Sequence, residues 1–502
     1  MKTTFTYLLL LFSTLSISQT PNLDWSKIYG GSGTDMAFKT ISLADGHFLI
    51  FGNTGSNNGD FTDNDGGAEI FAMKTNPTGE IIWSKTYGGT GNEYFRDVLL
   101  LNQDSFLIVG GSSSNNGDVA GNYGLGDVWL LEINAEGSII WNKNYGDSEV
   151  DNGFSAIPTD DGGFIVVGDQ RNNVDYMRDG FVFKINAAKE VVWEKTFGGS
   201  KNDYFTNIQK KSNGNYLTFG YTFSNDGDIS DLKGSSDLWV TEIDGDGNLI
   251  WSKTYGGTQL DHVEGVTQDN AGHFLIAGYT SSTDYDITDN DGGSDAWIMK
   301  LDQNGEIIWS KTFGGAQYDY AYSIIPLSQG GYMVTGNSES SDGDLTNNKG
   351  ETDLWLFQLS DDGDLIWQSN YGGSLSEQAN SIFQNEESIY VTGFSYSNDG
   401  DLTENAGDAD IWFLKFNFTD LGLNQISKNS LQIYPNPVRD ILNIQSDENL
   451  KQIEIYDLTG KLIQTYKISE KSIQLNVEQL NKGVYVVKII TESSSVSKKI
   501  IK

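Results

Sequence analysis

Acidic side chains are the residues of this sequence with the clearest capacity for chemistry, because they recur at fixed spacing. One carboxylate lies ten residues after each copy of a repeated tryptophan, giving Asp35, Glu93, Asp151, Asp203, Asp261, Asp319 and Glu377. A second set lies in Gly- and Asn-rich loops and comprises Asp60, Asp63, Asp65, Asp228, Asp231, Asp286, Asp289 and Asp291. Carboxylate, amide and carbonyl oxygens on tight turns are the ligands that Ca²⁺ prefers. The loops therefore predict calcium sites, with the alternative that short Asp and Asn side chains bond their own backbone in turns.

Catalytic chemistry has little support. The spacing of His47, His262 and His273 matches neither a metal site nor a Ser/His/Asp triad. The chain has no cysteine, which excludes disulfides, thiolate zinc sites and thiol nucleophiles. Paired carboxylates for glycoside hydrolysis stay open, because the acids are too numerous for one pair to be singled out.

A block built around tryptophan organises most of the chain. IIWSKTYGG and its variants place tryptophans at 25, 83, 141, 193, 251, 309 and 367, at intervals of 58 residues except for one of 52. In the first repeat, β-branched and aromatic runs at 37–43, 47–54, 69–75 and 80–87 are bounded by Gly, Asp and Asn, as strands are. Four antiparallel strands joined by short turns form a propeller blade. The repeat predicts an all-β protein in which residues 22–418 form a seven-bladed β-propeller.

The order of the strands predicts how the ring closes. A strand around Phe71, Trp129, Phe181, Trp239, Trp297, Trp355 and Trp412 occurs seven times, but the block at Trp25 precedes every other element and none follows Trp412. We expect the N-terminal strand to complete the last blade. The periodic tryptophans pack between blades in one interpretation and form a sugar-stacking platform in another.

This architecture places both acidic sets on one acidic face. Each repeated carboxylate would open the innermost strand of its blade, so the seven would circle one mouth of the central channel. The Asp-rich loops join the second and third strands and emerge where the chain links one blade to the next. Repetition of the ring carboxylates in every unit also fits a purely structural turn cap.

The third unit, residues 141–192, departs from the pattern. It is six residues shorter, and DQRNNVDYMR (169–178) replaces the Asp-rich loop. We take this segment as a candidate for a specific contact, with degeneration of the repeat as the alternative. Its Arg171 and Arg178, together with Arg96, are too few and scattered for the arginine cluster of a sialidase.

Charge and targeting signals limit the cellular setting. The formal net charge of −37 argues against nucleic acid as a partner. Residues 1–18 combine Lys2, an apolar run and small residues, as in a signal peptide cleaved near Ser18. No later segment is long and apolar enough to span a bilayer. We expect an exported, monomeric protein in which residues 419–430 form a polar linker.

Two stretches resemble known families. GGAQYDYAYSI (314–324) followed by GGYMVTGNS (330–338) is similar to the repeat of bacterial β-propeller proteins, which have many uses. From residue 431 the chain alternates apolar and polar residues, which predicts a small β-sandwich, and it resembles the type A C-terminal sorting domain of the Bacteroidetes type IX secretion system. The matching residues include Pro435, Asn436, Pro437, Gly460, Lys461, Gly483, Tyr485, Lys498 and Lys502. The resemblance implies Sec export, recognition by the type IX machinery, and surface attachment or release.

Three functions follow as hypotheses. The first is a non-catalytic binding or adhesion module that takes a glycan or protein through the acidic face, with calcium as a cofactor. The second is a secreted carbohydrate-active hydrolase that uses two of the acids, and the third is a passive surface scaffold. A break in symmetry with two carboxylates about 5 to 10 Å apart in a deep pocket would favour the hydrolase.

Overall fold

The computed structural model describes residues 21–119, 121–171, 176–345, 347–418, 431–435, 438–446, 449–457, 461–480, 483–491 and 495–502. The expected signal peptide and linker lie outside these ranges, as do Asn436, Pro437 and Gly460 of the sorting signal. The chain divides into two compact units, one of Leu23–Asn417 and one that includes Phe418–Lys502. Among the described residues, no helix is long and apolar enough to cross a membrane.

Seven four-stranded antiparallel sheets, the blades, make up the first unit as far as it is described. The first strands are β2 (Asp35–Ser42), β6 (Glu93–Asn102), β10 (Asp151–Pro158), β14 (Asp203–Lys210), β18 (Asp261–Gln268), β22 (Asp319–Pro326) and β26 (Glu377–Asn385). The second strands are β3 (Phe48–Thr54), β7 (Ser105–Ser112), β11 (Phe164–Arg171), β15 (Tyr216–Thr222), β19 (Phe274–Thr280), β23 (Tyr332–Ser338) and β27 (Ser388–Ser395). The third strands are β4 (Glu69–Thr75), β8 (Asp127–Asn134), β12 (Arg178–Ile185), β16 (Asp237–Ile243), β20 (Asp295–Leu301), β24 (Asp353–Leu359) and β28 (Asp410–Phe418). The fourth strands are β5 (Ile81–Tyr87), β9 (Ile139–Tyr145), β13 (Val191–Phe197), β17 (Leu249–Tyr255), β21 (Ile307–Phe313), β25 (Leu365–Tyr371) and, in the last blade, β1 (Pro21–Tyr29).

The blades close into a ring through their first strands. Each first strand contacts the first strand of the next blade, and β26 of the last blade contacts β2 of the first. The N-terminal strand β1 pairs with β28, so the last blade contains strands from both ends of the repeat region. The predicted seven-bladed β-propeller is confirmed.

Large side chains of the third strands fill the space between blades. Trp297 of the fifth blade, for example, is buried in one core cluster with Leu217 and Phe219 of the fourth. The tryptophans of the fourth strands are partly buried, and Trp251 lies against the turn at Gly305 of the following blade. These contacts give both repeated tryptophan positions a packing role, as the first interpretation predicted.

Every first strand contains a β-bulge at the same place. In the fifth blade the pairing with β19 shifts between Val263 and Gly265, which leaves Glu264 without an opposite residue. The same shift occurs in the other six blades. Gly278 stands opposite Val263, and a Cβ there would lie 1.9 Å from the carbonyl oxygen of His262, so the repeat requires glycine at this position. Bulges redirect the side chain of the extra residue.

The second unit is a small β-sandwich, as predicted. One sheet contains β29 (Leu431–Tyr434), β30 (Ile441–Ser446) and β33 (Ser472–Asn476). The other contains β31 (Leu450–Asp457), β32 (Leu462–Lys467), β34 (Val484–Thr491) and β35 (Ser495–Ile501). Leu442 and Ile444 of the first sheet share a core with Ile453 and Ile455 of the second.

Candidate functional site

The seven repeated carboxylates begin the first strands, but their side chains do not open onto the channel mouth. Each is at most 1% exposed. One oxygen of Asp319 accepts the N–H of Gly315 and the hydroxyl of Ser340, both at 2.8 Å, and the other accepts the hydroxyl of Ser338. Burial nevertheless raises the pKa of Asp319. These carboxylates therefore hold the links between blades together.

A second buried acid, present at six of the seven links, is not evident from the sequence. Six third strands begin with one, namely Glu69, Asp127, Asp237, Asp295, Asp353 and Asp410. Asp295 accepts the N–H of Asp291 through Oδ2, whereas its buried Oδ1 has no hydrogen-bond partner among the described residues. Burial, aided by the charge of Asp319, raises the pKa of Asp295 to about 7. Oxygens of Asp295 and Asp319 both lie 2.7 Å from where a Cβ on Gly314 would be, so only glycine fits between them.

The loop acids reach the same links. Asp60 Oδ2 accepts the N–H of Gly30 at 2.9 Å, and Asp35 accepts the N–H of Gly31 at 2.7 Å. The two acidic sets therefore meet at one end of the blade. Asp228 and Asp286 bond glycine N–H groups in the same way, and Asp286 also pairs with Lys233.

The remaining candidate calcium ligands are exposed. They are Asp63, Asp65, Asp231, Asp289 and Asp291. Within the described part of the chain, no three His, Asp or Glu side chains are grouped so that they could hold a metal ion. Calcium binding stays a prediction from the composition of the loops.

The seven blades differ most in residue type at the extra residue of each bulge. The extra residues in chain order are Phe38, Arg96, Phe154, Thr206, Glu264, Tyr322 and Asn380. Arg96 and Glu264 belong to blades three places apart in the ring, yet each shifts the other's pKa. Because the first strands that carry them surround the central channel, we infer that both side chains face it. The bulge thus serves as a common support on which each blade presents different chemistry.

Aromatic rings form an arc around one side of this channel. Tyr221 lies 4.7 Å from Tyr204, ring centroid to centroid, and 4.1 Å from His262. The arc continues from His262 to Tyr279 at 5.2 Å and from Tyr279 to Tyr320 at 4.6 Å. Tyr204, His262 and Tyr320 each directly follow one of the seven repeated carboxylates. The arc therefore lies toward the end of the channel that carries the acidic sets.

His262 is held as a neutral ring within the arc. Its Nε2 lies 2.9 Å from Ser236 Oγ, and its Nδ1 lies 2.8 Å from the hydroxyl of Tyr279. Burial lowers the pKa of His262 to about 4. The histidine therefore contributes hydrogen bonding and stacking without charge at neutral pH.

Glu264 and Arg96 are two charged residues of the channel. Glu264 has solvent-accessible surface but is surrounded by protein, as expected in a narrow channel. The surrounding protein desolvates the carboxylate and raises the pKa of Glu264 to about 7, although the positive charge of Arg96 lowers it. Desolvation lowers the pKa of Arg96, whose guanidinium lies 4.8 Å from the ring centroid of Phe154. We call Arg96, Glu264 and the rings of Tyr204, Tyr221, His262, Tyr279 and Tyr320 the channel cluster.

The structure also gathers two of the arginines that look scattered in the sequence. Arg178 forms an ion pair with the buried Asp169, which also accepts hydrogen bonds from Asn152. The charge of Arg96, from the preceding blade, also acts on Asp169. Arg171 lies elsewhere, with its guanidinium 4.7 Å from the ring centroid of Tyr176.

A signal for the channel cluster is present in the sequence. The positions one and three residues after each repeated carboxylate change chemical type from blade to blade, whereas the position between them is glycine or an apolar residue in every blade. No residue propensity predicts the bulge. Without it, these positions look like the alternation of apolar and polar residues in a regular strand.

The sorting residues of the tail lie on both sheets and their connections. Gly483 and Lys502 exchange two backbone hydrogen bonds, of 3.1 and 2.8 Å. Tyr485 packs against the sandwich core, whereas Pro435, Lys461 and Lys498 are exposed.

Comparison with known proteins identifies this tail. Residues 432–502 match the family of the secretion system C-terminal sorting domain. The protein is therefore exported by type IX secretion and reaches the cell surface or the medium. No curated protein sequence matches the chain.

Several solved structures are similar to this chain at low sequence identity. One is PorZ, a bacterial surface component of the type IX secretion system of Porphyromonas gingivalis, with 13% identity and a TM-score of 0.41 over 94% of this chain and 60% of that chain. The Neurospora crassa Pan2 WD40 domain has 12% identity and a TM-score of 0.43 over 78% of this chain and 92% of its own. Sqt1 from Chaetomium thermophilum has 10% identity and a TM-score of 0.43 over 78% of this chain and 99% of its own. This chain spans less than two thirds of PorZ.

Proposed function

We propose that this secreted propeller is a non-catalytic binding module that takes an extracellular glycan in the channel, at the end that carries the acidic sets. The observation that carries the proposal is the channel cluster, where the side chains differ from blade to blade while the backbone of the blades stays the same. Aromatic rings offer faces and edges to the apolar side of a sugar ring. Arg96 and Glu264 offer charged hydrogen bonds to its hydroxyl groups.

The charge pattern supports binding rather than hydrolysis. Hydrolysis by two carboxylates needs a second acid across the scissile bond from the first. The charged neighbour that acts on Glu264 is the guanidinium of Arg96. The repeated acids are committed to the links between blades, as Asp319 shows.

The full chain would be tested on a glycan array, followed by calorimetry with the best ligand. Glu264→Gln and Arg96→Gln should each weaken binding about tenfold, as expected for loss of one charged hydrogen bond. Glu136→Gln, in an exposed hairpin turn, is the matched control and should bind as the wild type does. A protein that binds no glycan, or variants that bind equally well, would leave the passive scaffold as the better description.

A hydrolase is the second candidate, because a carboxyl group with a pKa of about 7 has the value of a general acid at neutral pH. Incubation of the glycan with the full chain would be followed by mass spectrometry for cleavage products. Products that form with the wild type and not with Glu264→Gln would establish hydrolysis. An intact glycan that still binds would support the binding module.

Calcium dependence of the acidic face is a separate proposal. It rests on the exposed carboxylates of the loops at 56–67 and 282–293, with oxygen ligands of the kind that Ca²⁺ prefers. Thermal melting of the full chain would be compared after EDTA treatment and after Ca²⁺ addition, with Mg²⁺ as the control cation. A melting temperature that responds to Ca²⁺ alone supports the proposal, and an unchanged one removes it.

A further inference from the structure

The carboxylate of Glu264 has no partner of its own in the channel. Neighbouring blades hold its main chain on both sides, since its carbonyl oxygen accepts a hydrogen bond from Asn207 Nδ2 at 3.3 Å. On the other side, a Cβ on Gly265 would lie 2.4 Å from the carbonyl oxygen of Tyr322. Among the described residues, the carboxylate itself forms no hydrogen bond and no ion pair. The bulge therefore presents an acid whose backbone is fixed and whose charged group is unpaired.

Tyrosine rings lie around this carboxylate. Tyr322 is the extra residue of the next bulge and continues the aromatic arc, with its ring centroid 6.4 Å from that of Tyr320. Burial raises the pKa of Tyr221, Tyr279 and Tyr322, and the charge of Glu264 adds to each shift. All of these rings are partly exposed. A carboxylate and accessible aromatic surface thus occur together on one side of the channel.

This combination is suited to an organic cation. The faces of aromatic rings attract ammonium groups, and a desolvated carboxylate favours a positive charge beside it. Ca²⁺, in contrast, requires several oxygen ligands, and within the described ranges no three His, Asp or Glu side chains are grouped to supply them. His262 brings no competing charge at neutral pH, because burial lowers its pKa to about 4. The net charge of −37 also attracts cations to the protein.

Arg96 neutralises Glu264 only in part. Its guanidinium lies 4.8 Å from the ring centroid of Phe154, in the third blade. The charge of Asp169, also in the third blade, acts on Arg96 more strongly than the charge of Glu264 does. The pKa of Glu264 stays raised to about 7 in spite of Arg96. The carboxylate can therefore attract a second positive charge.

We propose that Glu264 and the tyrosine rings around it bind an ammonium group, so that the ligand of the channel is a glycan with an unacylated amino sugar. We call Glu264, Tyr221, Tyr279 and Tyr322 the ammonium site. The ammonium group pairs with the carboxylate and lies against the ring faces, and the hydroxyl groups of the sugar are left to Arg96. The inference rests on the proposed function for the sugar, whereas the ammonium site can be tested without one.

Tetramethylammonium chloride is the first probe, because it supplies the cation without a sugar. Saturation-transfer NMR with the full chain should show contact at the methyl groups. Glu264→Gln keeps the shape of the side chain and removes its charge, so it should weaken binding about tenfold. Glu136→Gln, in an exposed hairpin turn, is the matched control. A wild-type protein that does not bind the ion, or equal binding by Glu264→Gln, would overturn the proposal.

A pair of variants at Tyr322 tests the role of the rings. Tyr322→Leu removes the aromatic face, whereas Tyr322→Phe retains it. The phenylalanine variant should bind tetramethylammonium about fivefold more tightly than the leucine variant does. Melting temperatures show whether both variants are folded. Equal binding by two variants that melt alike would refute the contribution of the rings.

Glucosamine and glucose extend the test to sugars, because they differ only in the group at C2. The wild type should bind glucosamine about tenfold more tightly than glucose, and Glu264→Gln should remove the difference. Equal affinity for the two sugars, in a protein that still binds a glycan through the channel, would overturn this inference and retain the binding module. Tetramethylammonium that binds through Glu264 while no glycan binds would retain the ammonium site and refute the proposed glycan function.

Discussion

The imidazole of His262 stacks on the phenol ring of Tyr221 with centroids 4.1 Å apart and planes 13° from parallel. The two residues come from adjacent blades, since Tyr221 belongs to β15 and His262 to β18. The stack is thus a contact between blades as well as part of the channel cluster. Its strength depends on His262 remaining neutral and on the two hydrogen bonds that fix the plane of the ring.

Removal of this ring should destabilise the propeller. His262→Ala loses one aromatic stack and two hydrogen bonds, which together amount to about 2 kcal/mol of unfolding free energy. Tyr221→Phe keeps the stacked ring and is the matched control, with little expected change. Urea unfolding of the full chain at pH 7 measures both, and equal stability of His262→Ala and wild type would contradict the energetic role of the stack.

The protonation of His262 gives that contribution a defined pH range. The pKa of His262 is about 4 in the folded protein, against 6.5 for an ordinary histidine. Below pH 6.5 the unfolded chain binds the proton more readily, so the contribution is complete above that pH and is lost as the pH falls toward 4. The stability difference between wild type and His262→Ala should therefore shrink on acidification from pH 7 to pH 5.

Glu264 should have the opposite pH dependence. Its folded pKa of about 7 exceeds the ordinary value of 4.5, so the folded protein binds the proton more tightly. The ionised carboxylate lowers the free energy of unfolding above pH 7. This destabilisation is lost as the pH falls through 7 toward 4.5. Glu264→Gln should raise the melting temperature at pH 8 and leave it unchanged at pH 4.5. A uniform shift at both pH values would show that packing, and not ionisation, determines the effect.

The two buried acids on either side of Gly314 should respond differently to the same substitution. Asp295→Asn keeps an oxygen for the N–H of Asp291 and removes a charge beside Asp319, so it should stabilise the fold at pH 8 by on the order of 1 kcal/mol. Asp319→Asn loses acceptor capacity for Gly315, Ser338 and Ser340 and should cost about 1–3 kcal/mol. Chemical denaturation of both variants tests the contrast, and destabilisation by Asp295→Asn at pH 8 would argue against charge repulsion at the link.

Tyr285 occupies a backbone position that other blades reserve for glycine. Its φ is 55°, it is 68% exposed, and the same loop position holds Gly59, Gly117, Gly227, Gly343 and Gly400 with φ between 63° and 70°. Tyr285→Gly should relieve strain and stabilise the protein by up to about 1 kcal/mol, because a left-handed conformation is unfavourable for a bulky side chain.

The reverse change is the control for this position. Gly343→Tyr should destabilise the fold, since a Cβ there would lie 2.3 Å from the carbonyl oxygen of Gly314. Differential scanning calorimetry of both variants measures the pair of effects. A lower melting temperature for Tyr285→Gly would indicate that the exposed ring contributes contacts that outweigh the strain.

The sequence by itself determined the class of fold and the route of export. A 58-residue period with four strand-like runs indicates a propeller or a solenoid, because each unit buries its faces only against its neighbours, and the unpaired N-terminal strand favours a closed propeller. Tail residues such as Gly483 and Tyr485 were sufficient to suggest the sorting domain that the family match then identified. These features are local or periodic, so they can be recognised in the amino-acid sequence without knowledge of the tertiary structure.

Only the tertiary structure decided which residues meet. Arg96 and Glu264 are separated by nearly three repeats, yet each shifts the other's pKa because the first strands that carry them surround one channel. Asp295 and Asp319 both lie close to Gly314 because the ring brings consecutive blades together there. Periodicity specifies what every blade has in common, whereas a site arises from the differences between blades, and the closed ring determines which of those differences become neighbours.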